Sequence, residues 1–119
     1  MTGDGVRILG LGRPRKGALG WDSTRDTHAD ALAYLDDFVA TRRGVEVYVE
    51  PATVVVETSV ALVAADGEWT RRRIGSPRAA AAFGKKHSIP VYDATARGYP
   101  PRMRAWTAQQ AAKRRAEQA

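Results

Sequence analysis

The spacing of hydrophobic positions changes period along this chain of 119 residues. Between Val45 and Ile74 the period is two. VEVYVE alternates apolar and acidic positions, VVVETSVALVAA follows it, and EWTRRRI closes the stretch. Alternation of that kind predicts β-strands. Two turn signals divide it, Pro51-Ala52 and Asp66-Gly67. On either side the period is nearer 3.6. Ala31, Leu35, Phe38 and Val39 mark one face of a helix over residues 23–44, bordered by Leu32 and Tyr34. Thr24 or Thr27 suits its N-cap, Asp26 and Asp30 its first turn, Arg42 and Arg43 its last, and Gly44 its stop. Ser76-Pro77 opens a second helix reaching about His87, with Ala79, Ala80 and Phe83 as its apolar face. Ser88 to Tyr92 reads as a short strand that Pro90 confines to an edge, in a crossover that supports one parallel pair. Residues 93–101 read as a loop. Pro101 starts a last helix, anchored by Met103 and Trp106 and polar all round beyond Ala111.

These elements predict an α+β fold: an antiparallel β-meander of three to five strands packed against two helices, with a C-terminal helix. The expected organisation is a basic, glycine-rich arm or loop over residues 1–20, one domain over 21–110, and a basic, frayed tail over 111–119. In the first hairpin Val49 is expected to face Val54 and Val47 to face Val56, so that Val45, Val47, Val49, Val54 and Val56 share one face. Pro-Ala is not preferred two-residue hairpin chemistry, which weakens that pairing. The Asp66-Gly67 turn allows two registers. A two-residue loop pairs Ala64 with Trp69 and sends Arg71 and Arg73 inward. A glycine bulge slips the pairing by one, sends only Arg72 inward, and puts Arg71 and Arg73 on the Glu46/Glu57 face. A third arrangement, in which the strand overhangs its neighbours, buries Trp69 and leaves the arginines at an open rim. It is favoured because burying unpaired charges is costly.

Charge adds a polarity to this picture. The net charge is +6. Residues 22–57 hold eight acids against three arginines, while residues 71–119 hold twelve Lys/Arg against Asp93 and Glu117. Such asymmetry points to an anionic partner. The absence of cysteine excludes disulfides, thiolate metal sites and a Cys nucleophile. The longest apolar run, Val60 to Ala65, is too short to span a bilayer, and the N-terminus has no signal-peptide pattern. A cytoplasmic location, no membrane and no cofactor are therefore expected.

The basic residues form two candidate nucleic-acid surfaces. Arg71, Arg72 and Arg73, with Arg78, are expected to gather at one rim of the sheet. Arg102 and Arg104, with Arg97, Tyr99 and Trp106, are expected to form another, where arginines interleaved with aromatics suit phosphate contact and base stacking. The helix start at Ser76, between Arg73 and Arg78, suggests an anion site. In the N-terminal segment, Gly12-Arg13-Pro14-Arg15-Lys16 resembles the AT-hook, with Leu11 where that family usually has a basic residue. The resemblance implies an extended core in the minor groove of A·T-rich DNA, with Arg13 and Arg15 reaching its floor and Lys16 beside them. Gly10 and Gly12 do not complete a dinucleotide fingerprint, because Arg15 stands where the third glycine is needed.

Catalytic chemistry has little support. Asp26, His28 and Asp30 sit close in sequence but no second metal-ligand cluster appears, and His87 with Tyr92, Asp93 and Arg97 could only line a pocket. The expected function is that of a small, basic, non-enzymatic protein associated with DNA or RNA. The alternative is a protein–protein adaptor or homodimeric accessory domain. A small anionic-ligand site or an enzyme comes third.

Overall fold

Six consecutive residues, Thr58–Val63, form a strand in which every side chain is buried. Alternate side chains of a strand point to opposite faces, so this strand must be covered on both. The computed structural model describes residues 20–119, and Ala31–Ala119 form one unit. The elements in order are α1 (Gly20–Thr41), β1 (Glu46–Glu50), β2 (Thr58–Val63), β3 (Trp69–Gly75), α2 (Pro77–His87), β4 (Val91–Asp93), α3 (Ala94–Arg97) and α4 (Pro101–Gln118). The sheet order is β3-β2-β1-β4. β1–β2 and β2–β3 are antiparallel, and β4 lies parallel to β1 after the α2 crossover. The fold is α+β with a mixed four-stranded sheet and a C-terminal helix.

The first face of the sheet carries Val45, Val47, Val60, Leu62, Ala64 and Ile74. Leu35 and Phe38 of α1 and Ala80 and Phe83 of α2 pack on it, the stripes predicted by helical spacing. Each such side chain contributes on the order of 1.5–3 kcal/mol by leaving water. α2 begins as the Ser-Pro pair predicts: Ser76 Oγ accepts from Ala79 N at 3.1 Å. A left-handed Ser88 ends the helix. α1 ends at Thr41, earlier than expected, and Gly44 turns the chain with φ 63°. Arg42 thus lies beyond the helix, forks onto Glu68 (2.8 and 3.3 Å) and covers the Phe38 ring.

The second face carries Tyr48, Ala61 and Val63, covered by Ala94 of α3 and Met103 of α4, with Trp69 and Tyr92 packed at its margins. This cover comes from the C-terminal helix that the sequence predicts and from α3, in a segment expected to be loop. Residues 93–101 are thus not all loop: Asp93 Oδ1 accepts from Thr95 N and Ala96 N and caps the one-turn α3. The last helix continues to Gln118, its side chains exposed from Ala112 onward.

Both hairpins differ from the favoured registers. β1 pairs with β2, Val47 with Leu62 and Val49 with Val60, not with residues 54–56. Residues 51–57 form a loop instead. Thr53 Oγ1 accepts from Val55 N and Val56 N, while Thr53 N donates to Val56 O. This local side-chain turn competes with the ladder, and the longer apolar run of β2 wins the pairing. Val54 and Val55, expected in or near the sheet, are fully exposed. At the second hairpin Val63 pairs with Trp69 and Ala61 with Arg71, the one-residue slip, so β3 does not overhang. The slip leaves Trp69 half-buried because α4 lies over it.

Gly67 holds this turn against α4. Its φ is 95°, and a Cβ there would sit 2.1 Å from Arg102 O and 3.0 Å from Trp106 Cβ. Gly67→Ala therefore meets a backbone carbonyl as well as conformational strain of about 1–3 kcal/mol. At Gly44 (φ 63°) the added atom is tight only against Ala65 Cβ, at 3.0 Å, with the Ala65 backbone at ordinary contact distance, so the conformational strain comes without a clash against a carbonyl. Urea unfolding is expected to give Gly67→Ala a clearly lower midpoint than Gly44→Ala. The reverse order would show that the turn is not pressed on the helix.

Candidate functional site

The second sheet face gathers most of the arginines and aromatics of the chain's C-terminal half, through three rows of cross-strand neighbours. Glu46, Val63 and Trp69 form one row, Tyr92, Tyr48, Ala61 and Arg71 the next, and Glu50, Ser59 and Arg73 the third. In the middle strand the second and third rows carry only Ala61 and Ser59. Small side chains there let Arg71 of β3 reach Glu50 of β1 diagonally across β2. Arg71 Nε donates to Glu50 Oε1 at 2.8 Å and Oε2 at 3.0 Å. Ser59 Oγ donates to Oε1 at 2.7 Å, and the Tyr99 hydroxyl donates to Oε2. A second node lies one turn of the pleat away. Glu46 Oε1 accepts from Tyr48 OH at 2.7 Å and from Arg102 Nη2 at 2.8 Å, while Arg102 Nε donates to Ala64 O at 2.9 Å.

These contacts set the protonation of the site. Burial alone would raise the Glu50 carboxyl, but hydrogen bonds from Arg71, Tyr99 and Ser59 outweigh it and hold it below its ordinary range. At Glu46 burial is likewise outweighed, by Arg102 and Tyr48. Burial and the neighbouring carboxylates push the Tyr48 and Tyr99 hydroxyls up, so both remain donors near neutral pH. The two carboxylates are thus ionised and committed to Arg71 and Arg102. They neutralise those guanidinium groups and fix the tyrosines.

Around these nodes the aromatics are close. Tyr48 lies 5.4 Å from Tyr92 and 5.9 Å from Tyr99 between ring centroids. Arg97 sits 3.9 Å above the Tyr92 ring and Arg71 5.1 Å from the Trp69 ring, both within cation–π range. Trp69 Nε1 donates to Thr107 Oγ1 at 2.8 Å, which orients the indole against α4. Two depressions open on this face. One, about 230 Å³, is lined by Trp69, Tyr99, Pro100, Met103, Arg104 and Thr107. The other, about 330 Å³, includes Glu46, Tyr48, Arg97, Tyr99, Pro100 and Arg102 among its lining residues. A larger depression of about 620 Å³ lies between the end of α1 and the β2–β3 turn. The Arg42–Glu68 ion pair occupies its wall, and it has no comparable set of aromatics.

The expected binding residues are therefore redistributed. Arg71, Arg72 and Arg73 do not form one rim. Arg71 is paired with Glu50, and alternation places Arg72 on the first face, 3.8 Å above the Tyr34 ring. Arg73 shares the face of Arg71 and is exposed. Arg102 is half-buried and structural, whereas Arg104 is exposed beside Trp69. Trp106 packs near Gly67 and is not among the residues lining either depression. Among the described residues Arg73, Arg97 and Arg104 form no ion pair.

The anion site expected at Arg73, Ser76 and Arg78 is largely used up by capping. Ala79 N goes to Ser76 Oγ, Ala80 N to Ser76 O, and Pro77 has no N–H to give. His87 does not face Tyr92, Asp93 and Arg97: its Nε2 lies 2.7 Å from Asp36 Oδ1, beside Lys86, and its ring packs on Phe83. No group of three or more His, Asp or Glu among the described residues is placed to hold a metal ion. No helix among them is long and apolar enough to cross a membrane. Arg13, Arg15 and Lys16 lie outside the described residues.

Sequence reasoning did not join Trp69 and Tyr48 in one site, because it did not say which face of the sheet the C-terminal helix covers. The signal was present in Val60 to Ala65, which is apolar at both alternating sets of positions. Comparison with protein-family models, curated proteins and solved structures finds no match.

The Glu50 node makes a pH prediction. Its carboxyl is held below the ordinary value of 4.5 in the folded chain, so it contributes stability that is complete above that value. That contribution is lost as pH falls through the lower, folded value. Glu50→Gln removes charge-assisted hydrogen bonds worth about 1.5–3 kcal/mol each. It is expected to lower Tm at neutral pH and to shrink the loss of Tm on acidification. An unchanged acid profile in the variant would show that Glu50 is not the titrating group.

Proposed function

We propose that this is a basic protein that associates with nucleic acid by binding rather than by chemistry on it, through the second sheet face. The observation that carries the reading is the division of the arginines there. Arg71 and Arg102 are neutralised by Glu50 and Glu46, while Arg73, Arg97 and Arg104 are exposed without an ion pair and stand with Trp69, Tyr92 and Tyr99 on that face. A polyanion with planar groups satisfies both halves of such a surface, phosphates on the guanidinium groups and rings on the aromatics. Lys113, Arg114 and Arg115, exposed on the last turns of α4, extend the positive field. The AT-hook-like Arg13, Arg15 and Lys16 would add a separate attachment to the minor groove of A·T-rich DNA.

A second reading, association with another protein or a second copy, is favoured by Val54 and Val55. They stand fully exposed on a turn held by Thr53. Concentration-dependent mass in solution that Val54→Ser/Val55→Ser abolishes is the result that reading requires.

Titration of a labelled oligonucleotide at several salt concentrations tests the first reading. With three phosphate contacts the logarithm of affinity is expected to fall against that of salt with a slope of about −2 to −3. Arg73→Ala/Arg97→Ala/Arg104→Ala is expected to flatten that slope and weaken binding of any sequence. No binding at low salt would remove the proposal.

A further inference from the structure

The two depressions share Tyr99 and Pro100. They therefore adjoin, and Tyr99 is the aromatic residue common to both linings. Each is small, at or below the lower end of the about 300–1,000 Å³ usual for drug-sized ligands. Their linings differ. The first is largely apolar, with Trp69, Met103 and Pro100, and has Arg104 at its edge. The second is polar, with Glu46, Arg97 and Arg102. Arg104 lines the first recess and Arg97 the second, and Tyr99 lines both. A cation, a shared aromatic and a second cation thus alternate in the linings of two adjoining recesses.

A ligand that fits this alternation is linear, anionic and hung with planar groups at regular intervals. Resting on the nucleic-acid reading above, we propose that the site takes single-stranded nucleic acid and seats two successive bases in the two recesses, one on each side of Tyr99. The flanking phosphates lie toward Arg97 and Arg104. A duplex cannot use the site in this way, because its bases are paired and stacked and present only their edges in the grooves. The Tyr99 ring is held for the task by its hydroxyl, which donates to Glu50, and by the neighbouring Tyr48 ring. The indole of Trp69 is held by Thr107. A preformed aromatic wall loses little freedom when a base stacks on it.

Anisotropy of a labelled 12-nucleotide strand of mixed sequence, single and as its duplex, tests this with the full chain at fixed low salt. The single strand is expected to bind at least ten-fold more tightly than the duplex and to quench tryptophan fluorescence. Tyr99→Ala is expected to lower single-strand affinity about five-fold or more, the scale of one lost base stack, and to leave duplex affinity within two-fold. Tyr99→Phe keeps the ring without the Glu50 hydrogen bond and is expected to retain the single-strand preference, which separates loss of the wall from loss of the fold. Equal affinity for strand and duplex, or a Tyr99→Ala effect equal on both, overturns the two-recess site while leaving charge-driven binding standing. Binding of neither removes both readings together.

Discussion

The burial of β2 on both faces governs the rest of the molecule. Thr58–Val63 presents no solvent-facing side, so the chain must supply two covers, one from helices that precede β4 and one from helices that follow it. α1 and α2 take the first face, and α3 and α4 the second. A strand buried on one side could tolerate a slip in which its partner's arginines trade faces. Here each alternation of β3 is constrained. Ile74 must join the first core, and Trp69 must reach α4. The two residues are an odd number of positions apart, so alternation along one strand sets them on opposite faces and meets both demands.

Two covers also decide which charges the sheet can carry. Glu46 and Glu50 stand on a face that α4 partly closes, where an unpaired carboxylate would cost several kcal/mol. Each is satisfied by an arginine and a tyrosine hydroxyl, Glu46 by Arg102 and Tyr48, Glu50 by Arg71 and Tyr99, with Ser59 as a further donor at Glu50. The nodes differ from the surface pair Lys86–Asp36, whose lysine is largely exposed and whose Coulomb gain is screened. They fix the tyrosine rings in place, and so shape the two recesses.

Much of this was legible before the structure. The Leu35/Phe38 and Ala80/Phe83 faces, the Ser76-Pro77 start and the edge strand after Pro90 follow from spacing and cap chemistry that act within a few residues. The registers were not legible, because they depend on distant partners. Val54 and Val56 have the same pattern as Val60 and Leu62. Only the hydrogen bonds of Thr53, and the longer apolar run behind it, decide which set pairs with β1. The candidate site was legible as a composition, arginines among aromatics, and not as a place. Arg71 and Arg102 were indistinguishable in sequence from Arg73 and Arg104, since what separates them is a carboxylate on β1.

That separation bears on binding energetics. An arginine already bonded to a carboxylate, as Arg71 and Arg102 are, gains little from a phosphate, because one charge-assisted contact replaces another. Arg73, Arg97 and Arg104 are exposed and form no ion pair among the described residues, so under the proposed function a phosphate contact there would release counterions without breaking an internal pair. The committed arginines hold the aromatic walls in position, and the uncommitted ones supply the field. Surfaces of single-sign charge bind polyanions without regard to shape. A face in which part of the charge is spent on fixing rings offers shape as well, and the recesses beside Tyr99 are where that shape lies.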